Sequence, residues 1–165
     1  MEDIVVRHIQ PGDNAAMAKI IRNALEEFGA NKPGTVYFDE STDHLYELFL
    51  AEPMSEYFVA EKNGILLGGA GIYPTDALPE GTCELVKMYL APAARGLGLG
   101  RSMIARCMEA AKAKGFQQMY LETMPELRKA VSVYEKFGFT YLPLPLGNSG
   151  HNGCDIWMIK TLTTN

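Results

Sequence analysis

A chain of 165 residues suits one domain, since single hydrophobic cores usually occupy about 100–200 residues. With 47% hydrophobic residues it can build a core without metal or disulfide help. The formal charge of -5 excludes a general nucleic-acid binder, which needs a basic face, and no apolar run approaches the roughly 20 residues that span a bilayer.

In chain order, Ile4–Ile9 is short and β-branched, and Pro11-Gly12-Asp13 ends it as a turn. Met17, Ile20, Ile21, Ala24, Leu25 and Phe28 then recur at helical spacing, with Gly29 as C-terminal stop. After a loop over Asn31–Asp39, a shorter helix is expected over Thr42–Glu52, stopped by Pro53. Two strands, Glu56–Glu61 and Ile65–Tyr73, flank Asn63-Gly64, the strongest short hairpin signal. The loop Pro74–Gly81 leads to a strand over Cys83–Leu90 and then to a glycine-rich turn. A helix over Gly100–Lys114, a strand over Gln118–Thr123 and a helix opened by Pro125 follow. Strands over Phe139–Leu142 and Ile156–Ile159 frame the polar loop Pro143–Gly153. This order reads as α+β, or mixed α/β, with an antiparallel front half and a βαβ unit behind. Cys83, Cys107 and Cys154 have no zinc or redox spacing and are expected as buried thiols of a reducing, cytoplasmic compartment. The acidic start Met1-Glu2-Asp3 runs straight into a strand and does not read as a signal peptide.

The turn Arg95-Gly96-Leu97-Gly98-Leu99-Gly100 carries the chemistry. Glycines admit positive φ and let a ligand approach the backbone. The helix that follows adds unpaired N–H groups and the positive end of its dipole. Such a site holds an anion, most often a phosphate, even in an acidic protein. A Walker loop needs a glycine upstream where Ala94-Arg95 stands, and a dinucleotide fingerprint needs GxGxxG rather than this GxGxG. Arg95 and Arg101 flank the turn and are expected to add charge.

Arg95-x-x-Gly98-x-Gly100 after Leu90-Ala91-Pro92, followed one helix, strand and helix later by Tyr134-x-x-x-Gly138-Phe139, resembles the GNAT superfamily of acetyl-CoA-dependent N-acetyltransferases. The resemblance covers essentially the whole chain, residues 1–165. It implies a central, mostly antiparallel sheet of six to seven strands with helices on both faces and a V-shaped splay beside the strand before the turn. It implies acetyl-CoA as cosubstrate, with the backbone of Met88, Tyr89 and Leu90 along the pantetheine and the Leu90 N–H on the thioester carbonyl. The N–H groups of Arg95, Gly96, Leu97, Gly98, Leu99 and Gly100, with Arg101, are implied as the pyrophosphate cradle. Tyr134 is implied to direct its hydroxyl at the thioester sulfur. Where the family often has an asparagine, this chain has Leu127.

Glu84, placed by a period of two on the same face as Met88, is the expected general base. Its alternative role is that of a surface carboxylate or an acceptor-binding residue. His151 either lines the acceptor site, acts as a pH-sensitive base or stands in solvent, the loop position favouring solvent. Glu26, Glu27, Glu40 and Glu84 hint at a cationic acceptor, framed by the segments 29–38, 74–81 and 143–153. The expected activity is acetyl transfer to a primary amine of a small molecule or protein. The alternative is a non-catalytic acyl-CoA binder of the same fold. No nucleic acid or membrane partner is expected, and dimerisation through the C-terminal strands is possible.

Overall fold

The computed structural model describes residues 3–162, so the Met1-Glu2 start lies outside the described residues. One seven-stranded sheet organises the chain, in the order β1-β2-β3-β4-β5-β7-β6. Its strands are β1 (Val5–His8), β2 (Glu56–Lys62), β3 (Ile65–Tyr73), β4 (Thr82–Leu90), β5 (Gln118–Thr123), β6 (Thr140–Leu142) and β7 (Ile156–Thr161). Every pairing is antiparallel except β4 with β5. The β2–β3 hairpin turns on Asn63 and Gly64 with φ of 52° and 79°, the left-handed pair that this dipeptide favours.

Helices α1 (Asn14–Glu27) and α2 (Leu45–Leu50) cover one face, while α3 (Leu99–Ala113) and α4 (Arg128–Lys136) cover the other. The stripe Met17, Ile21 and Leu25 of α1 packs with Leu45, Phe49, Tyr57 and Val59. The stripe Met103, Ile104, Cys107 and Ala111 of α3 packs with Phe58, Ala70, Leu85 and Met119. Helix α2 is shorter than its apolar spacing suggests, because Glu40–Asp43 forms a separate 3-10 turn before it. A 3-10 turn over Pro125–Leu127 likewise precedes α4. Among the described residues, no helix is long and apolar enough to cross a membrane.

One irregularity positions the site. Between β3 and β4 the register shifts so that Ala70 alone faces Lys87 and Met88, and Lys87 takes φ 51°. This is a β-bulge, an extra residue that bends the strand and re-aims its side chains. The Tyr57 hydroxyl donates to the Lys87 carbonyl at 2.7 Å, and its ring crosses β3 at Gly69 and Gly71. A Cβ built on Gly69 would lie 2.7 Å from that ring, so the glycine keeps the path of the tyrosine open.

Candidate active site

Strands β4 and β5 pair only over Thr82–Glu84 against Gln118–Tyr120, although β4 continues to Leu90 and β5 to Thr123. Beyond that pairing the two strands diverge, which leaves β4 without a strand partner on this side from Leu85 onward. The expected splay is there. A cleft of about 340 Å³ opens in it, walled by β4 on one side and by Met124, Ala130, Val133 and Tyr134 on the other.

The glycine turn closes one end of the cleft. Gly96 and Gly98 have φ of 81° and 71°, and the space where a Cβ would stand is open at both. The first α-helical bond of α3 runs from Ser102 N to Gly98 O at 3.2 Å. The preceding N–H groups of Leu99, Gly100 and Arg101 therefore have no helical acceptor, the arrangement that binds anions. Gly96, Gly98, Leu99, Gly100 and Arg101 all line the cleft, as do Met88, Tyr89 and Leu90. Leu97 does not; it is exposed at 51%.

Arg95 also lines the cleft, with its polar groups already engaged. Its N–H donates to Pro92 O at 3.2 Å inside a 3-10 turn, and its guanidinium grips Glu27 at 2.5 and 2.9 Å over the ring of Phe28. A backbone donor already used and a cation already paired contribute little to a phosphate, so Arg95 ties the turn to the end of α1. Arg128 and Lys129 at the start of α4 also line the cleft. No motif singled them out.

Tyr134 comes from α4 and is buried apart from the cleft it lines, where its hydroxyl has no hydrogen-bond partner among the described residues. Burial, reinforced by Cys107, pushes that hydroxyl above the usual phenol range. Cys154 also borders the cleft, its thiol pushed up to about 12 by burial, while Cys83 and Cys107 are buried.

Glu84 lies at the fork of the splay and is 4% exposed. Burial pushes its carboxyl up to about 7; the Thr75 hydroxyl, donating to Oε1 at 2.6 Å, opposes this and the nearby Glu122 adds to it. The expected shared face with Met88 is corrected by the bulge. Leu85, Met88 and Leu90 pack on the α3 side, and Val86 and Tyr89 on the α1 side. The extra residue at Lys87 reverses the alternation, so counting by twos from Glu84 fails at Met88.

On the α1 side a second cavity of about 260 Å³ adjoins the cleft, sharing Glu84, Val86, Lys87 and His151 with it. Segment 143–153 roofs it. Leu146 N donates to the Tyr120 hydroxyl, Asn148 N to Asp76 O, Ser149 Oγ to Glu122 and Gly153 N to Gly34 O. His151 is therefore not a solvent-exposed loop residue; its Nε2 lies 2.5 Å from Asp39 Oδ2 and its side chain is 16% exposed. Burial raises the Asp39 carboxyl, but His151 outweighs it and holds the group below the usual carboxylate range. The acidic set is also revised. Glu26 accepts from Tyr37, Glu27 holds Arg95, and neither of them nor Glu40 lines either of these two cavities, whereas Asp39, Asp76, Glu84 and Glu122 do. The segments holding Asp39 and Asp76 have no periodicity that would have aimed them.

Residues 18–139 match the model of the acetyltransferase (GNAT) family. The chain belongs to that family. It is similar to the uncharacterized N-acetyltransferase YjgM of Escherichia coli K12, 39% identical over 160 residues that cover 96% of this chain and 95% of that protein. Its fold is similar to a GNAT-family acetyltransferase from Staphylococcus aureus Mu50, with a TM-score of 0.85 at 16% identity, covering 98% of this chain and all of that one. It is also similar to yncA of Salmonella typhimurium, solved with acetyl-CoA, with a TM-score of 0.74 at 21% identity, covering 98% of this chain and 95% of that one. As a member of this family the protein is an acyltransferase that takes acetyl-CoA as cosubstrate. The free helix N-terminus, the open glycine turn and the unpaired edge of β4 fit that molecule's pyrophosphate and extended arm.

Proposed function

We propose that the protein acetylates a primary amine, of a small molecule or a protein, by direct attack within a ternary complex. The observation that carries this reading is the position of Glu84 at the fork, where the cleft meets the second cavity. Acetyl-CoA supplies an activated thioester. The unpaired edge of β4 over Met88–Leu90 holds its arm as an added strand would, and the N–H of Leu90 is the donor assigned to the carbonyl oxygen. The N–H groups from Gly96 to Arg101 hold the pyrophosphate.

An amine arrives mostly as ammonium and must lose a proton before its lone pair can attack. Glu84, with its carboxyl near 7, is deprotonated often enough and basic enough to take that proton, directly or through one water. The new C–N bond forms as the C–S bond breaks, and the proton that the acylated nitrogen then sheds goes to the departing thiolate. Tyr134 then faces the developing thiolate. Its hydroxyl is held above the usual phenol range, so full donation to a thiol near ~8.5 is uphill and a hydrogen bond is its role.

The test measures release of CoA thiol from acetyl-CoA with a panel of amines. Tyr134→Phe should lower kcat by about 10–100-fold while acetyl-CoA affinity changes by less than about twofold. An equal loss of affinity and turnover in that variant would assign Tyr134 to binding alone. A panel in which no amine releases thiol would overturn the reading.

A further inference from the structure

Lys87 is a charged group in the shared wall that the chemistry above leaves unused. It sits on the bulge in a left-handed conformation that a residue with a Cβ rarely adopts. The surroundings enforce it, since Tyr57 holds the Lys87 carbonyl from behind. Lys87 consequently lines both the cleft and the second cavity.

Its ammonium makes no hydrogen bond or ion pair with any described residue. Burial lowers its pKa, while Asp39 and Glu84 act on it only at longer range. An ammonium that is half-buried at a cavity wall and meets no anion there is a ready partner for an anionic group of a ligand. Asp39 does not fill that role, because it is hydrogen-bonded to His151. The same cavity offers Glu84 as the group for the reacting amine and an apolar wall of Leu48, Phe49 and Tyr73.

We propose that the acceptor is a small free amino acid with an apolar side chain, its carboxylate on Lys87, its amine toward Glu84 and its side chain against Leu48, Phe49 and Tyr73. This rests on the acetyl-transfer reading and narrows it. An amine without a carboxylate leaves the Lys87 ammonium with no hydrogen-bonding anion, since Asp39 and Glu84 act on it only at longer range. A cavity of about 260 Å³ under a roof pinned from Gly34 to Tyr120 suits a single residue better than a folded protein's tail.

The experiment compares matched acceptors at saturating acetyl-CoA: L-phenylalanine, L-phenylalaninamide and phenethylamine, then the leucine series. The free acids should have kcat/KM at least about tenfold above both neutralised partners, as expected for one charge-assisted contact. That ratio should fall toward one in Lys87→Met and persist in Lys87→Arg. Equal rates for acid and amide in the parent, or a ratio that survives in Lys87→Met, would overturn the proposal. A second arm needs no turnover. CoA-saturated protein is melted with N-acetyl-L-phenylalanine or with N-acetylphenethylamine, and only the former should stabilise, in the parent and not in Lys87→Met. If no amine releases thiol, the acetyl-transfer reading fails, and this arm still decides whether a carboxylate binds at Lys87; equal shifts with both compounds reject that site.

Discussion

A buried carboxyl with its titration near neutrality, as at Glu84, affects two measurable quantities in opposite directions. Catalysis needs the deprotonated form, so kcat/KM should rise with pH through an apparent pKa of about 7. In Glu84→Gln that inflection should vanish together with most of the rate. A steady-state pH profile of both proteins checks this. Stability runs the other way. The folded-state pKa is raised from about 4.5 to about 7, so the folded protein binds the proton more tightly than the unfolded chain. Stability therefore falls as pH rises across that window, and the loss is complete above it. At pH 8 Glu84→Gln should unfold at higher denaturant than the parent, by up to about 3 kcal/mol, and the gap should close by pH 4. Calorimetry or urea melts at the two pH values decide it. The importance of Glu84 was legible from its place on the central strand, but its orientation was not. Orientation depends on a bulge stabilised by Tyr57, thirty residues away in the chain, and periodicity cannot register such a contact.

Among the elements, β4 and its bulge determine where each wall of the cleft faces. The hydrogen bond from Tyr57 to Lys87 O is the one side-chain bond to the bulged backbone among the described residues. Removing it in Tyr57→Phe should cost about 1–2 kcal/mol and loosen the register, since the carbonyl loses a buried donor while the ring still fills its place. The expected result is a modest drop in melting temperature with a disproportionate fall in kcat, read by thermal melts beside acetyl-CoA kinetics. A variant with lowered stability and unchanged kcat would show that the bulge forms without Tyr57. The glycine turn and the Tyr134 motif were readable because each is local; spacing alone places their residues at one helix start and around one helix end. The segments 29–43 and 143–155 were not readable in this way. They meet through contacts such as His151 with Asp39 and Gly153 with Gly34, between stretches more than a hundred residues apart.

At the scale of the whole molecule, three residue pairs between β4 and β5 join a four-stranded leaf to a three-stranded one. The strand order agrees with the expected antiparallel sheet because hairpin turns and β-branched runs announce themselves. The splay was implied only by resemblance, since no residue marks where two strands cease to pair. The proposed course of the acetyl-CoA arm along β4 would fill the gap between the leaves. Binding should therefore slow amide exchange in β4 and β5 together, beyond the turn that touches the phosphates. Exchange mass spectrometry with and without CoA tests this, and protection confined to residues 95–102 would contradict it. The wall of Glu84, Val86, Lys87 and His151 common to both cavities has a further consequence. On the proposed reading donor and acceptor meet at this wall from the two cavities, so extra length on the acyl chain and extra length on the acceptor should compete for the same space. The wall would then act as a ruler, and a change that lengthens one allowance should shorten the other.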